Sequence, residues 1–309
     1  DSTGQFSLRS ARDTAVVQKM IVLKEKNPDL KVLLSLGGWG GCAPCSGAFS
    51  TREGRKRFAS SVQEHLTFFT CDGIDLDWEY PAIPGYPGHP FSPADKDNFT
   101  ALVKELRSTL GREATITFAA GGFQRYLDEA VDWKQVMRKV NYVNIMSYDL
   151  VSGFATSTGH HTALFSNPQQ KESTDNAVQF LLRAGVKPKK IIIGAAFYGR
   201  VWENVVSENN GLYQAGRFKM SVDYKNFAER LSPDSGFVFH WDSVTHAPYA
   251  YHPEKQWFAT FDDKRSVSAK TEYVLRNKLG GIMFWELDSD TFTGGLLQTI
   301  NDMLRKKVK

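Results

Sequence analysis

The chain is poor in several things that would direct its reading. Among 309 residues there are three cysteines, and the net charge is only +4. Its longest apolar runs, such as KIIIGAAFYG (Lys190–Gly199), are far too short to span a bilayer, so no membrane partner is expected. No basic run is dense enough to hold nucleic acid, and RKKVK at the end reads as a solvated tail. Cys42 and Cys45 form a C-x-x-C, but no second pair or histidine cluster accompanies them, which argues against zinc. Nor does the loop read as a thioredoxin-type motif; a local structural role is expected, with the redox state of these two and Cys71 open. His160-His161 fall in a polar loop and the other histidines are scattered, so they form no site. No metal and no cofactor are expected. No signal-peptide pattern opens the chain, whose abrupt start at DSTGQFSLRS is compatible with an export signal already removed.

Aromatic residues, by contrast, are plentiful: 21 Phe, 11 Tyr and 7 Trp. Most belong in a core, and a 41% hydrophobic chain of this length can fill one large core or two smaller ones. Tryptophans set beside polar residues suit a carbohydrate site, since rings stack on sugar faces.

Short apolar runs alternate with amphipathic segments. Strands are predicted over Lys31–Gly38, Gly73–Glu79, Ala114–Gly121, Tyr142–Asp149, Lys190–Gly199 and Gly280–Leu287. Helices are predicted over Asp13–Lys26, Arg52–Phe69, Pro93–Leu110, Trp133–Lys139, Asp175–Ala184 and Ser266–Lys278, with Ser92 capping the third. This alternation implies an α/β fold with a parallel sheet covered by helices. The stretch 202–257 breaks the rhythm and reads as a small α+β insertion, leaving 1–201 and 258–309 to the main domain. The Pro- and Gly-rich stretch Tyr80–Pro93 is a long loop, placed where α/β proteins keep their chemistry.

The most informative stretch is CDGIDLDWEYP, Cys71 to Pro81. On a strand, Asp75, Asp77 and Glu79 point to one face, with neighbours roughly 7 Å apart, while Ile74, Leu76 and Trp78 point to the other. A solvated acidic edge is excluded by the apolar opposite face. Three carboxyls this close cannot all ionise comfortably, so one holds a proton near neutral pH, as general-acid catalysis requires. Asp72 has the opposite parity to Asp75 and is expected to fix the strand by hydrogen bonds.

DGIDLDWEYP resembles the D-x-x-D-x-D-x-E signature of family 18 glycoside hydrolases, the chitinases. SLGGW (Ser35–Trp39), MSYD (Met146–Asp149), FYGRVW (Phe197–Trp202) and GIMFWELDSD (Gly281–Asp290) are similar to further segments of that family, in the same order. The resemblance implies a (β/α)8 TIM barrel with an α+β insertion deepening the cleft. Only six strands can be counted, however, and residues 1–10 cannot supply the two that family members carry first; the shortfall points to a truncated or processed chain.

For the chemistry, the resemblance implies retaining, substrate-assisted hydrolysis of β-1,4-linked N-acetylglucosamine, in which the sugar's acetamido oxygen closes onto the anomeric carbon. Glu79 is then the general acid and base, Asp77 holds the acetamido N–H, Asp75 shares a proton with Asp77, and Tyr148 orients the acetamido group. Asp149 and Arg200 would bind hydroxyls or adjust charge, and Ser35 would bond near Asp75. Trp285 would floor the sugar site, Trp39 would be a stacking platform, and Trp202 would face the same cleft; Met146 would touch the ligand or simply pack. The expected partner is chitin or a chito-oligosaccharide, bound by an exported monomer. A lectin-like barrel that binds without turnover and an endo-β-N-acetylglucosaminidase are the alternatives. Glu79 favours an enzyme over the first, and the insertion with its Trp platforms favours a linear polymer over the second.

Overall fold

Alternation of apolar and acidic residues produces the strand it predicts. In a computed structural model that describes residues 3–8 and 10–306, Gly73–Asp77 is extended, with Ile74, Leu76 and Trp78 buried and Asp75, Asp77 and Glu79 only half-buried. The chain forms two compact units. The first runs to Gly121 and adds Arg125–Val143 and Ala184–Val186; the second holds Gly122–Gln124, Asn144–Arg183 and the chain from Lys187 onward. The last three residues of the basic tail lie outside the described residues.

The first unit is built from α1 (Ala11–Lys26), β1 (Leu33–Gly37), α2 (Cys45–Phe49), α3 (Arg52–Phe69), β2 (Gly73–Asp77), α4 (Asp95–Leu110), β3 (Thr115–Gly121), α5 (Gln124–Glu129), α6 (Trp133–Val136) and the start of β4 (Tyr142–Met146). Its strands lie in the order β1-β2-β3-β4, and β2 is parallel to both neighbours, with Ser35 opposite Asp75 and Asp75 opposite Thr117. Helix α3 starts where Thr51 accepts the Gly54 N–H at 3.0 Å, and buries Phe58, Val62 and Leu66, spaced four apart on one face. Trp78 reaches this helical layer, 5.5 Å from Phe49 and 6.2 Å from Phe99 between ring centres. Each of Ile74, Leu76 and Trp78 contributes about 1.5–3 kcal/mol by leaving water, which holds the acids on the other face. The predicted cap, Ser92, is not the N-cap: that position is Ala94, whose N–H the Ser92 hydroxyl accepts at 3.3 Å. Ser92 has a second bond to the helix start. Its N–H is taken by Asp95 Oδ2 at 2.8 Å, and α4 begins at Asp95.

The second unit continues β4 and adds α7 (Thr174–Arg183), β5 (Ile191–Ala196), β6 (Tyr198–Glu203), β7 (Arg217–Asp223), α8 (Phe227–Arg230), β8 (Val238–Asp242), β9 (Ala247–His252), β10 (Trp257–Thr260), α9 (Lys264–Arg276), β11 (Gly281–Trp285) and α10 (Leu296–Lys306). Its strand order β4-β5-β11 includes a parallel β5–β11 pair. Among the described residues, strands β1–β5 and β11 are the six counted from the sequence. The insertion is a separate antiparallel sheet, β7-β6-β10-β9-β8. It begins at Tyr198 and ends at Thr260, so its edges fall outside the 202–257 span read from the sequence.

One predicted site residue moves into this sheet's interior. Trp202 is 0% exposed and packs with Val205, Leu212, Tyr249, Tyr251 and Phe258, while its Nε1–H donates to Ala155 O at 3.1 Å. Its spacing from Arg200 suggested a shared cleft. The 151–158 loop and Phe218 cover it instead, and no spacing rule reveals a cover supplied from elsewhere in the chain. Trp202→Ala is expected to cost about 3–5 kcal/mol in denaturant unfolding, whereas Trp39→Ala, at an exposed ring, should change stability by about 0.5 kcal/mol or less. Equal losses would contradict the placement of Trp202.

Candidate active site

Within the first unit the predicted acids do gather. Asp75 Oδ2 accepts the Ser35 hydroxyl at 3.3 Å and Oδ1 accepts the Thr117 hydroxyl at 2.5 Å, so both neighbouring strands grip it. Thr117 was not singled out from the sequence; its parity on β3 was the available signal. Asp77 follows at the strand's end, and its Oδ1 is buried with no hydrogen-bond partner. Gly37 makes this approach possible: a Cβ there would lie 2.2 Å from Asp77 O, and its φ of +91° suits glycine. Glu79 lies two residues beyond the strand.

Burial first, then the charges of Glu79 and Asp75, push the Asp77 carboxyl up to about 8. Asp77 therefore carries a proton at neutral pH. Tyr80 and Tyr126, 5.4 Å apart, stand beside it. Burial and the acid charges raise both phenols, and Tyr80 also bonds to Glu79, so both remain neutral. Asp72, on the other face, is structural as its parity implied. It binds Lys24 at 2.8 Å and accepts the Val32 N–H at 2.8 Å; although burial alone would raise its pKa, these partners lower it.

Trp39 is 49% exposed, with Tyr86 at 5.5 Å and Tyr80 at 6.4 Å between ring centres. The loop behind it is closed by a Cys42–Cys45 disulfide, and Cys71 is free.

The second unit gathers a different set. Asp149 and Arg200 bind each other through two parallel bonds, Nε to Oδ1 at 2.7 Å and Nη2 to Oδ2 at 2.6 Å. Arg200 also reaches the Ser221 hydroxyl at 2.7 Å. Burial alone would raise Asp149, but His161 and Arg200 outweigh it and hold the carboxyl well below the usual range. His161 is a correction to the sequence reading: it and His160 are fully buried, His161 against Asp149 and His160 3.1 Å from Asp242. Burial lowers the His161 pKa, leaving a neutral ring.

Tyr148 follows β4, its hydroxyl 3.7 Å from Met283 Sδ and its ring against Gly194, where an added Cβ would lie 2.8 Å from Cε1. Met146, near the end of β4, is half-buried. Trp285 ends β11 and is 52% exposed. The predicted residues thus form two groups, one per unit, and Trp202 joins neither. Among the described residues, no group of three or more His, Cys, Asp or Glu side chains is arranged to hold a metal ion.

Carboxyls at the C-terminal end of a parallel strand, one of them with a raised pKa, in an α/β chain with exposed tryptophans, are compatible with a glycoside hydrolase. Residues 1–290 match the family model described as Glycosyl hydrolases family 18, and the chain belongs to that family. It is similar to chitinase A1 of Niallia circulans, 31% identical over 89% of this chain and 42% of that protein. Among solved structures, chitinase ChiA74 from Bacillus thuringiensis is 31% identical, covers 94% of this chain and 52% of that one, and has a TM-score of 0.89. A family 18 N-acetylglucosaminidase from Paenibacillus barengoltzii is 39% identical, covering 93% of this chain and 86% of that one, with a TM-score of 0.85. The fold is therefore that of the (β/α)8 glycoside hydrolases. The chain spans about half the length of the curated relatives it matches.

The protonated Asp77 has a consequence for stability. Its folded pKa lies above the unfolded value, so its contribution is fully present at acid pH and declines as pH rises through about 8. Asp77→Asn removes that decline. The melting temperature of the variant relative to wild type should be higher at pH 9 than at pH 5; a difference independent of pH would show that Asp77 holds no such proton.

Proposed function

We propose that this chain hydrolyses β-1,4 links between N-acetylglucosamine units of chitin or chito-oligosaccharides with retention of anomeric configuration. The observation that carries this reading is the buried Oδ1 of Asp77, which has no hydrogen-bond partner and lies in a row of acids whose charges, with burial, raise the Asp77 pKa. An isolated buried acceptor is costly, and an incoming amide N–H satisfies it. The 2-acetamido group of N-acetylglucosamine supplies that donor. The family and the relatives named chitinases support the same substrate.

In this reading Glu79 protonates the glycosidic oxygen as the bond to the anomeric carbon breaks, while the acetamido carbonyl oxygen bonds to that carbon from the opposite side. The positive charge developing on the acetamido group is stabilised by Asp77, whose proton is shared with Asp75. Glu79 then takes a proton from water, which opens the oxazolinium ring. Tyr148 orients the acetamido group, and Trp285 and Trp39 offer exposed faces for stacking. Asp149 and Arg200, already paired with each other, offer a fixed dipole to sugar hydroxyls rather than two free charges. The insolubility of the polymer favours an exported enzyme.

A time course on chitin hexamer with anomer analysis tests the proposal: β-anomers in the first products are expected, and first-formed α-anomers exclude retention. The similarity to an N-acetylglucosaminidase favours a second reading, release of single sugars from chain ends. The same time course separates them, since monomer alone from the earliest points marks that activity and dimers to tetramers mark internal cleavage. Glu79→Gln should lower kcat by about 10²–10⁴-fold with oligosaccharide binding retained; near-wild-type turnover would remove Glu79 from the acid role.

A further inference from the structure

Behind Tyr148 lies an ion pair that the proposed mechanism does not use. Lys270 on α9 and Asp262, just after β10, are both 0% exposed, with Nζ 2.6 Å from Oδ2. Removing two charges from water costs more than their attraction commonly returns, and apolar side chains of similar size often replace such pairs without loss. The partners of this pair show what it holds. Asp262 Oδ2 also accepts the N–H of Ala196, the last residue of β5, at 2.9 Å, and Oδ1 accepts the Ser266 hydroxyl at 2.6 Å. Lys270 Nζ makes a second bond, at 2.5 Å, to Thr162 Oγ1.

That second bond orients a proton. With Lys270 occupying a lone pair of Thr162 Oγ1, the hydroxyl's one hydrogen is directed to an acceptor. Ser147 O at 3.0 Å is nearer than Asp262 Oδ2 at 3.2 Å. Ser147 is the residue before Tyr148. Its own hydroxyl donates to Gly194 O at 3.0 Å and accepts the Gly194 N–H at 2.9 Å, which ties the end of β4 to β5. Gly194 is also the residue on which the Tyr148 ring lies. Peptide 147–148 is thus fixed from two directions: by its preceding side chain to the strand alongside, and by its carbonyl to Thr162. Thr162 in turn follows His161, the partner of Asp149.

We propose that Thr162 is a positioning residue for Tyr148, its hydroxyl turned to Ser147 O by the bond from Lys270, which its buried pairing with Asp262 holds in place. The proposal rests on the reading above, in which Tyr148 orients the acetamido group. A tyrosine hydroxyl that must meet a substrate oxygen gains from a backbone held to a fraction of an ångström. Thr162 touches no substrate in this scheme and acts through Ser147.

The test uses the full chain with Thr162→Val, Thr162→Ser, Tyr148→Phe and the Thr162→Val/Tyr148→Phe pair. Kinetics on chitin hexamer are combined with amide hydrogen exchange over residues 147–150. Thr162→Val should lower kcat about tenfold with KM within about twofold, because misplacement costs the reacting geometry rather than binding. Thr162→Ser, which keeps the hydroxyl, should stay within about twofold of wild type. In the Tyr148→Phe background Thr162→Val should cost less than about twofold, since no hydroxyl remains to be aimed. Wild-type kcat in Thr162→Val, or the same loss in both backgrounds, overturns the proposal. If Thr162→Val does not fold, Thr162→Ala carries the same comparison. If the wild type turns over no chito-oligosaccharide, the functional reading fails, and the exchange measurement alone decides the positioning. Amides 148 and 149 should then exchange about tenfold faster in Thr162→Val, and unchanged rates overturn it.

Discussion

Mutual repulsion among three carboxyls on one face of a single strand is the constraint to which the first unit answers. Asp75, Asp77 and Glu79 repeat every second residue, and no lysine or arginine stands among them. Ionised together, they would drive the strand apart from its neighbours. Two things prevent this. The opposite face buries Ile74, Leu76 and Trp78 against helices, and Asp77 keeps a proton that water would otherwise remove. The energy of apolar burial thus helps to maintain the Asp77 carboxyl in its acid form beside Glu79.

The same residue type behaves in the opposite way where cations are supplied. Asp149 is half-buried like Asp77, yet the Arg200 cation, with a contact to His161, holds it ionised. Asp262 meets Lys270 in an interior with no exposure at all. Burial is common to all three aspartates, so burial alone does not decide their state; the partner does. The acidic row can hold a proton, and the ion-paired groups hold a position. The disulfide at Cys42–Cys45 has the second kind of role, closing the loop that carries Trp39.

Much of this was legible in the sequence because it depends on local periods. A period of two placed the acids on one face and Trp78 on the other, and parity alone marked Asp72 as structural. Spacing by three and four marked α3, and strand–helix alternation marked the parallel strands. The misreadings share a different origin. Trp202 was placed in a cleft from its distance to Arg200, but its surroundings come from residues 151–158, 205–218 and 249–258. His160 and His161 lie in a loop rich in polar residues and read as forming no site, yet Asp242 and Asp149 approach them through the fold. Thr117, Tyr126 and Met283 were missed for the same reason.

The amino-acid sequence by itself determined which residue types repeat at strand and helix spacing, and therefore which faces are acidic and which are apolar. Those are properties of consecutive residues, and backbone geometry converts them directly into direction. Only the tertiary structure decided which carboxyl keeps its proton, which tryptophan is buried, and which lysine stands behind Tyr148. These depend on desolvation and on partners tens to more than a hundred residues away, such as Thr162 and Lys270, and no local period encodes such a meeting.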